Sequence, residues 1–137
     1  MEMAQNNNNA IKILLVDDEP DLLGIVELVL VKKGFKVTAL ESPPSVEDLV
    51  SLDPDVVFLD LLLKGQHGVD ICQRIKADPR TKEIPVVIVS AHTAPEVKEA
   101  CQACHADDFM TKPFDIHELG GKAQFYGSKH QQLRHTA

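Results

Sequence analysis

With 137 residues, 44% hydrophobic and 26% charged, the chain has the length and apolar content of one soluble domain with one core. No apolar run approaches the ~20 residues that span a bilayer, and a net charge of −7 disfavours direct binding to nucleic-acid phosphates. Residues 1–10 are polar and asparagine-rich, without the basic and apolar regions of a secretory signal, so they read as a disordered lead-in to a cytoplasmic protein.

Residues 11–16 are an apolar run of strand length, as expected of a central strand in a parallel sheet. Pro20 opens a first helix and Gly34 closes it, with Leu22, Ile25, Val26, Val29 and Leu30 predicted to face inward. Residues 35–40 alternate in polarity, which marks an edge strand. Ser42 and Pro43 read as N-cap and first position of a short helix that buries Val46, Leu49 and Val50.

Residues 55–59 are a second apolar strand, ending at Asp60. A loop through Gly65 and Gly68 leads into a helix with Val69, Cys72 and Ile75 inward, stopped by Asp78-Pro79. Residues 84–89 are a third apolar strand, ending at Ser90, and Thr93 with Glu96 forms a capping box for the helix that follows. Residues 107–111 make a polar second edge strand, followed by Lys112-Pro113. Asp115 and Glu118 open a last helix with Ile116, Leu119, Ala123 and Tyr126 inward. Gly120-Gly121 inside it costs about 1 kcal/mol per glycine relative to alanine. This helix is therefore expected to be short or frayed, with a disordered tail over residues 127–137.

Strands and helices alternate five times, which with right-handed crossovers predicts an α/β fold. The two edge-like strands fit the flavodoxin-like arrangement: a doubly wound five-stranded parallel sheet, order 2-1-3-4-5, with helices on both faces. Ligands bind such sheets beyond the carboxyl ends of the strands. Those ends carry Asp17, Asp18, Asp60, Ser90 and Lys112. Taken singly, each is an ordinary helix cap or solvated side chain; together at one sheet edge they suit a divalent metal and a phosphoryl group. Three neighbouring carboxylates repel unless a cation sits among them, and Mg²⁺ prefers such oxygen ligands. An aspartate kept ionised in this way can attack phosphorus and carry an acyl phosphate. Lys112 supplies positive charge for the transferring group, and Ser90 a hydroxyl donor.

Val16-Asp17-Asp18-Glu19, the segment Asp60-Leu-Leu-Leu-Lys-Gly-Gln-His-Gly68, Ser90-Ala91 and Phe109-Met-Thr-Lys112-Pro113-Phe114 occur in that order. They resemble the receiver domain of two-component response regulators, over residues 11–126. The resemblance implies that Asp60 accepts a phosphoryl group from a histidine kinase or histidine phosphotransfer protein. It implies that Asp17, Asp18, Asp60 and the backbone carbonyl of Leu62 bind Mg²⁺ or Mn²⁺. It assigns Lys112 to the phosphoryl group, with a cis bond to Pro113, and makes Ser90 and Phe109 a switch pair. A downstream protein target would then meet the face of the fourth helix, fifth strand and fifth helix, without direct nucleic-acid binding or membrane insertion. The implied chemistry is autocatalytic phosphotransfer and autodephosphorylation, as in a phosphorelay, and not turnover of a substrate.

Several positions depart from that pattern. Lys64 replaces a common proline, which implies a more mobile loop. His105 replaces a usual glycine at a position that favours φ > 0. Leu62, unlike a polar residue, cannot orient a water toward the acyl phosphate, and with His92 it occupies a position that tunes hydrolysis in this family. Gly120-Gly121 and the short sequence beyond favour a stand-alone receiver over a transcription factor. The run Cys101-Gln-Ala-Cys104-His105 fits a haem-attachment motif. Val97, Ala100, Cys101 and Cys104 nevertheless lie on one helical face, so buried apolar packing is the expected role. A redox switch or zinc site is the sharper alternative there. Cys72 is expected in the core, and His67, His117, His130 and His135 on the surface.

Three other functions compete. A phosphohydrolase of the haloacid dehalogenase type would need a second aspartate where Leu62 stands. A flavodoxin-like electron carrier would have its FMN phosphate repelled by Asp17-Asp18-Glu19. A phosphorylation-independent binding module would have no need of the complete set of site residues.

Overall fold

In the computed structural model, residues 9–63, 66–91 and 94–136 are described. The solid apolar runs become β1 (Lys12–Val16), β3 (Val56–Asp60) and β4 (Val86–Ser90), and the polar ones become β2 (Lys36–Leu40) and β5 (Asp108–Thr111). Between and after them lie α1 (Pro20–Lys32), α2 (Val46–Leu52), α3 (Gly68–Ala77), α4 (Ala94–Cys104) and α5 (Ile116–Thr136). All neighbours in the five-stranded sheet are parallel, in the order β2-β1-β3-β4-β5, which is the doubly wound topology expected. A two-residue antiparallel ladder, Leu62–Leu63 with Gln66–His67, follows β3 and had no signature in the sequence. Among the described residues no helix is long and apolar enough to cross a membrane.

Because side chains alternate along a strand, each central strand feeds two cores. Ile13, Leu15, Val56, Phe58, Val87 and Val89 pack with Leu23, Val26 and Leu30 of α1 and Leu119 and Ala123 of α5. On the opposite face Leu14, Val16, Val57, Leu59, Val86 and Ile88 pack with α2, α3 and α4. This two-sided burial is why β1, β3 and β4 read as continuous hydrophobic runs.

Three local expectations need correction. Helix α1 buries Leu23, Val26 and Leu30 and leaves Ile25 62% exposed. Apolar residues surround this helix nearly all the way round, so their spacing did not fix which side faces the sheet. It ends as expected: Gly34, with φ of 100°, donates to the Val31 carbonyl and Phe35 donates to that of Leu30.

The N-cap of α2 is Ser45, whose hydroxyl accepts from the Asp48 N–H at 3.0 Å, and not Ser42. Pro44 explains this, since a residue before proline is steered away from helical angles and Pro43 precedes one. Of the three residues expected inward on α2, Leu49 is buried and Val50 is 40% exposed.

Helix α5 is neither short nor frayed, and the tail expected over 127–137 is helical to Thr136. Leu119, Gly120, Ala123, Gly127 and His130 form one buried stripe along it, so tertiary packing offsets the poor propensity of Gly120-Gly121. Asp115 caps its start, accepting from the His117 N–H at 2.7 Å. The capping box proposed at Thr93 and the lead-in before Asn9 lie outside the described residues.

Candidate functional site

The crevice forms where β1, β3, β4 and β5 end. The Asp17 N–H donates to the Leu40 carbonyl at 3.1 Å, which extends the β1–β2 pairing by one residue. The Asp17 carboxylate then accepts the Glu19 N–H through Oδ1 at 2.9 Å, turning the chain into the Pro20 start of α1. Carboxylate oxygens of Asp17, Asp18 and Asp60 all lie within 4.8 Å of one another. Asp17 and Asp60 are only 8% and 7% exposed, a costly arrangement for like charges unless a cation joins them.

Lys112 supplies one such cation. Its backbone N–H donates to the Ser90 carbonyl at 2.7 Å, and a cis bond to Pro113 follows. Its ammonium donates to Asp17 Oδ2 at 2.7 Å, Asp60 Oδ2 at 3.1 Å and Glu19 Oε1 at 3.0 Å. Burial alone would lower the lysine pKa. The hydrogen bonds to Asp17, Glu19 and Asp60 outweigh that effect and hold it above the ordinary lysine value.

Two further constraints position Asp60. The Leu61 N–H donates to the Val89 carbonyl at 2.8 Å, and the Gly68 N–H donates to the Leu61 carbonyl at 2.6 Å. A side chain at Gly68 would collide with the Asp60 carbonyl oxygen and with Leu61 Cα. The glycine at the start of α3 therefore lets that helix close directly onto the backbone of Asp60.

Ser90 is 1% exposed and ends β4 beside Thr111, while Phe109 lies opposite Ile88, partly buried against the core under α3 and α4. The structure thus sets Ser90 and Phe109 on adjacent strands, two register positions apart. Leu62 pairs through its backbone with His67 in the small ladder. The Leu62 side chain, Lys64 and His92 lie outside the described residues. Glu19 joins the site although no role was assigned to it; its signal was the unbroken acidic run that follows β1.

His105 adopts φ of 63°, the left-handed conformation expected at that position. Cys72, Cys101 and Cys104 are buried free thiols, in keeping with the packing role read from their spacing. His105 is exposed, and among the described residues the one cluster able to hold a metal is the Asp17, Asp18 and Asp60 group. The zinc alternative at the cysteines therefore has no support.

His130 corrects another expectation. It is 5% exposed, with Nδ1 3.1 Å from Oδ1 of the fully buried Asp55. Asp55 Oδ2 also accepts the Lys12 N–H at 2.9 Å and the Gln131 amide at 3.3 Å. The sequence offered no sign of this because the partner lies 75 residues away. His117 is exposed as expected, and the side chains of His67 and His135 lie outside the described residues.

Residues 13–124 match the response regulator receiver domain family. Over 109 residues the chain is 36% identical to the DNA-binding dual master transcriptional regulator RpaA of Synechocystis sp.. That stretch is 79% of this chain and 45% of RpaA, so the chain spans less than half the length of this relative. The chemotaxis protein CheY4 of Vibrio cholerae is similar in fold, with a TM-score of 0.78 and 22% identity over 85% of this chain and 98% of CheY4. So is the receiver domain of the sensor histidine kinase PA1611 of Pseudomonas aeruginosa, which holds a magnesium ion in its active-site cleft. Its TM-score is 0.72, with 24% identity over 87% of this chain and 98% of that one. The matched segment takes in every strand end that builds the crevice, and on that basis the chain belongs to the receiver domain family of two-component response regulators.

Proposed function

We propose that Asp60 is the phosphoacceptor of a signalling switch. The observation that carries this reading is the position of its carboxylate. It lies 3.1 Å from the Lys112 ammonium, against Asp17 and Asp18, in the crevice at the carboxyl end of the sheet. An Asp60 oxygen attacks the phosphorus of a phosphohistidine, the phosphorus–nitrogen bond breaks, and its electron pair stays on the imidazole of the histidine kinase or phosphotransfer protein. Lys112 stabilises the charge on the transferring oxygens.

The donor set fits a hard divalent cation, since Asp17, Asp18 and Asp60 present clustered carboxylate oxygens and the Leu62 carbonyl follows Asp60 by two residues. When bound, Mg²⁺ or Mn²⁺ neutralises these carboxylates together with the phosphoryl oxygens. The magnesium in the PA1611 receiver supports this reading.

The Ser90 hydroxyl then moves to the phosphoryl group, and Phe109 rotates toward the space it leaves. This repositions α4, β5 and α5 for a downstream protein in the cytoplasm. No other reading has a specific observation in its favour. Intact mass after incubation with acetyl phosphate and Mg²⁺ tests the proposal. One added phosphoryl group is expected, lost in Asp60→Ala and with EDTA. An unchanged mass under every condition would leave a receiver-shaped binding module.

A further inference from the structure

Helix α1 carries more apolar side chains than the sheet covers. Its inward stripe is Leu23, Val26 and Leu30. Ile25, Leu28 and Val31 face solvent instead, 62%, 58% and 50% exposed. Among the described residues the other large apolar side chains left open lie on α2 and α5. Single exposed apolar residues are ordinary on a protein surface, but three on one helix face make a patch.

Charge brackets this patch. Asp21, Ile25, Leu28 and Lys32 follow one another at i, i+4, i+7 and i+11, so they fall in one line along the helix. Asp21 lies in the first turn and Lys32 in the last, and both are exposed. Among the described residues neither has an ion-pair partner in its own chain.

We infer that this face of α1 docks a second copy of the chain, the two helices lying antiparallel across a two-fold axis between Ile25 and Leu28.

A two-fold axis makes every contact reciprocal. Ile25 then meets Leu28 of the second copy, and Leu28 meets Ile25 of the second copy. At the two ends Asp21 faces Lys32 of the second copy, and Lys32 faces its aspartate. The 4-3-4 spacing is that of a coiled-coil seam, in which side chains seat between those of the facing helix. Val31 comes to lie alongside Gly24 of the second copy. A Cβ at Gly24 would meet nothing within 4 Å in its own chain, so the position is open, and it has no side chain to hold a neighbouring helix away. Antiparallel packing also opposes the two helix dipoles. A parallel pair would instead set aspartate against aspartate and lysine against lysine, which repel.

Size sets the strength. Specific, stable interfaces bury roughly 1,200–2,000 Å² in total. Helix α1 is 13 residues long, and one stripe along it makes a smaller contact, so the dimer belongs to the weak, concentration-dependent class. Asp17, Asp18, Asp60 and Lys112 take no part, and the pairing does not depend on the phosphoacceptor reading.

Sedimentation velocity of the full chain, from low micromolar to near-millimolar concentration under reducing conditions, reads the pairing directly. The wild type is expected to shift from monomer toward dimer as concentration rises. Leu28→Glu, which puts charge into the apolar centre, should abolish the shift. Asp21→Lys sets like charges against each other at both ends of the pair, and so does Lys32→Asp. Each of these variants alone, first shown by circular dichroism to keep its fold, should raise the dimer dissociation constant about tenfold. An equimolar mixture of the two restores opposite charges at both ends and should recover the dimer. A wild type that stays monomeric throughout would overturn the pairing and leave this face to a different protein. A dimer that survives Leu28→Glu, or a mixture that associates no better than either variant alone, would overturn it as well.

Discussion

Lys112 satisfies three carboxylates at once, and its charge is therefore tied to the stability of the fold. Its folded pKa lies above the ordinary lysine value. The stabilisation is thus fully present below the unfolded value and is lost as pH rises through the folded one. Urea denaturation from about pH 10 to about 11.5, at and above the unfolded lysine pKa of about 10.4, should show wild-type stability falling with a steeper slope than that of Lys112→Met, with the two slopes parallel below about pH 9. Parallel slopes in the upper range as well would mean that the ammonium contributes nothing through these contacts.

If Asp60 is the phosphoacceptor proposed above, Leu62, two positions further on, should set the lifetime of its acyl phosphate. A leucine offers no group to align an attacking water, so the acyl phosphate should persist longer than in Leu62→Asn. Loss of the phosphoryl mass over time after removing the donor measures both. A shorter half-life in the wild type than in the variant would refute the assignment.

At the level of elements, α5 departs most from its propensity. Its buried stripe reaches Gly127, where an added side chain would collide with Ile11, and His130, which meets Asp55 at the start of β3. Removing residues 127–137 would uncover Ile11 and take a hydrogen bond from a buried carboxylate, a loss of about 1–3 kcal/mol for the latter alone. A chain ending at Tyr126 should therefore unfold at lower urea, although it retains every residue of the crevice. An unchanged midpoint would show that the last turns of α5 add nothing.

What the sequence made legible follows the same division. The central strands were readable because burial on both faces leaves an uninterrupted apolar run, and the site was readable because each of its groups sits directly at a strand end. The phase of α1 was not, since its apolar residues encircle the helix. The extent of α5 was not, since its stability comes from Ile11 and Asp55, far away in the chain. Glu19 escaped notice because its role depends on where the Lys112 ammonium reaches, a matter of side-chain geometry.

Across the whole molecule, the sheet gathers Asp17, Asp18, Asp60 and Lys112 at one end and shares its hydrophobic faces between two helical layers. A ligand that binds only the assembled crevice stabilises the folded state by mass action. Mg²⁺ at a hundred times its dissociation constant should add about 2.7 kcal/mol. Thermal melts with increasing Mg²⁺ should show a rising Tm in the wild type and a much smaller rise in Asp18→Asn. Equal rises in both would place the ion elsewhere.

The Asp55–His130 contact has a practical consequence at the pole opposite the crevice. Of the histidines whose side chains are described, His130 alone is buried, while His105 and His117 face solvent. Its ring protons should give a magnetic-resonance signal set apart from those of the exposed imidazoles. That signal would serve as a resident observer of the distal end, reporting without any attached label whether an event at Asp60 is felt through the full depth of the sheet.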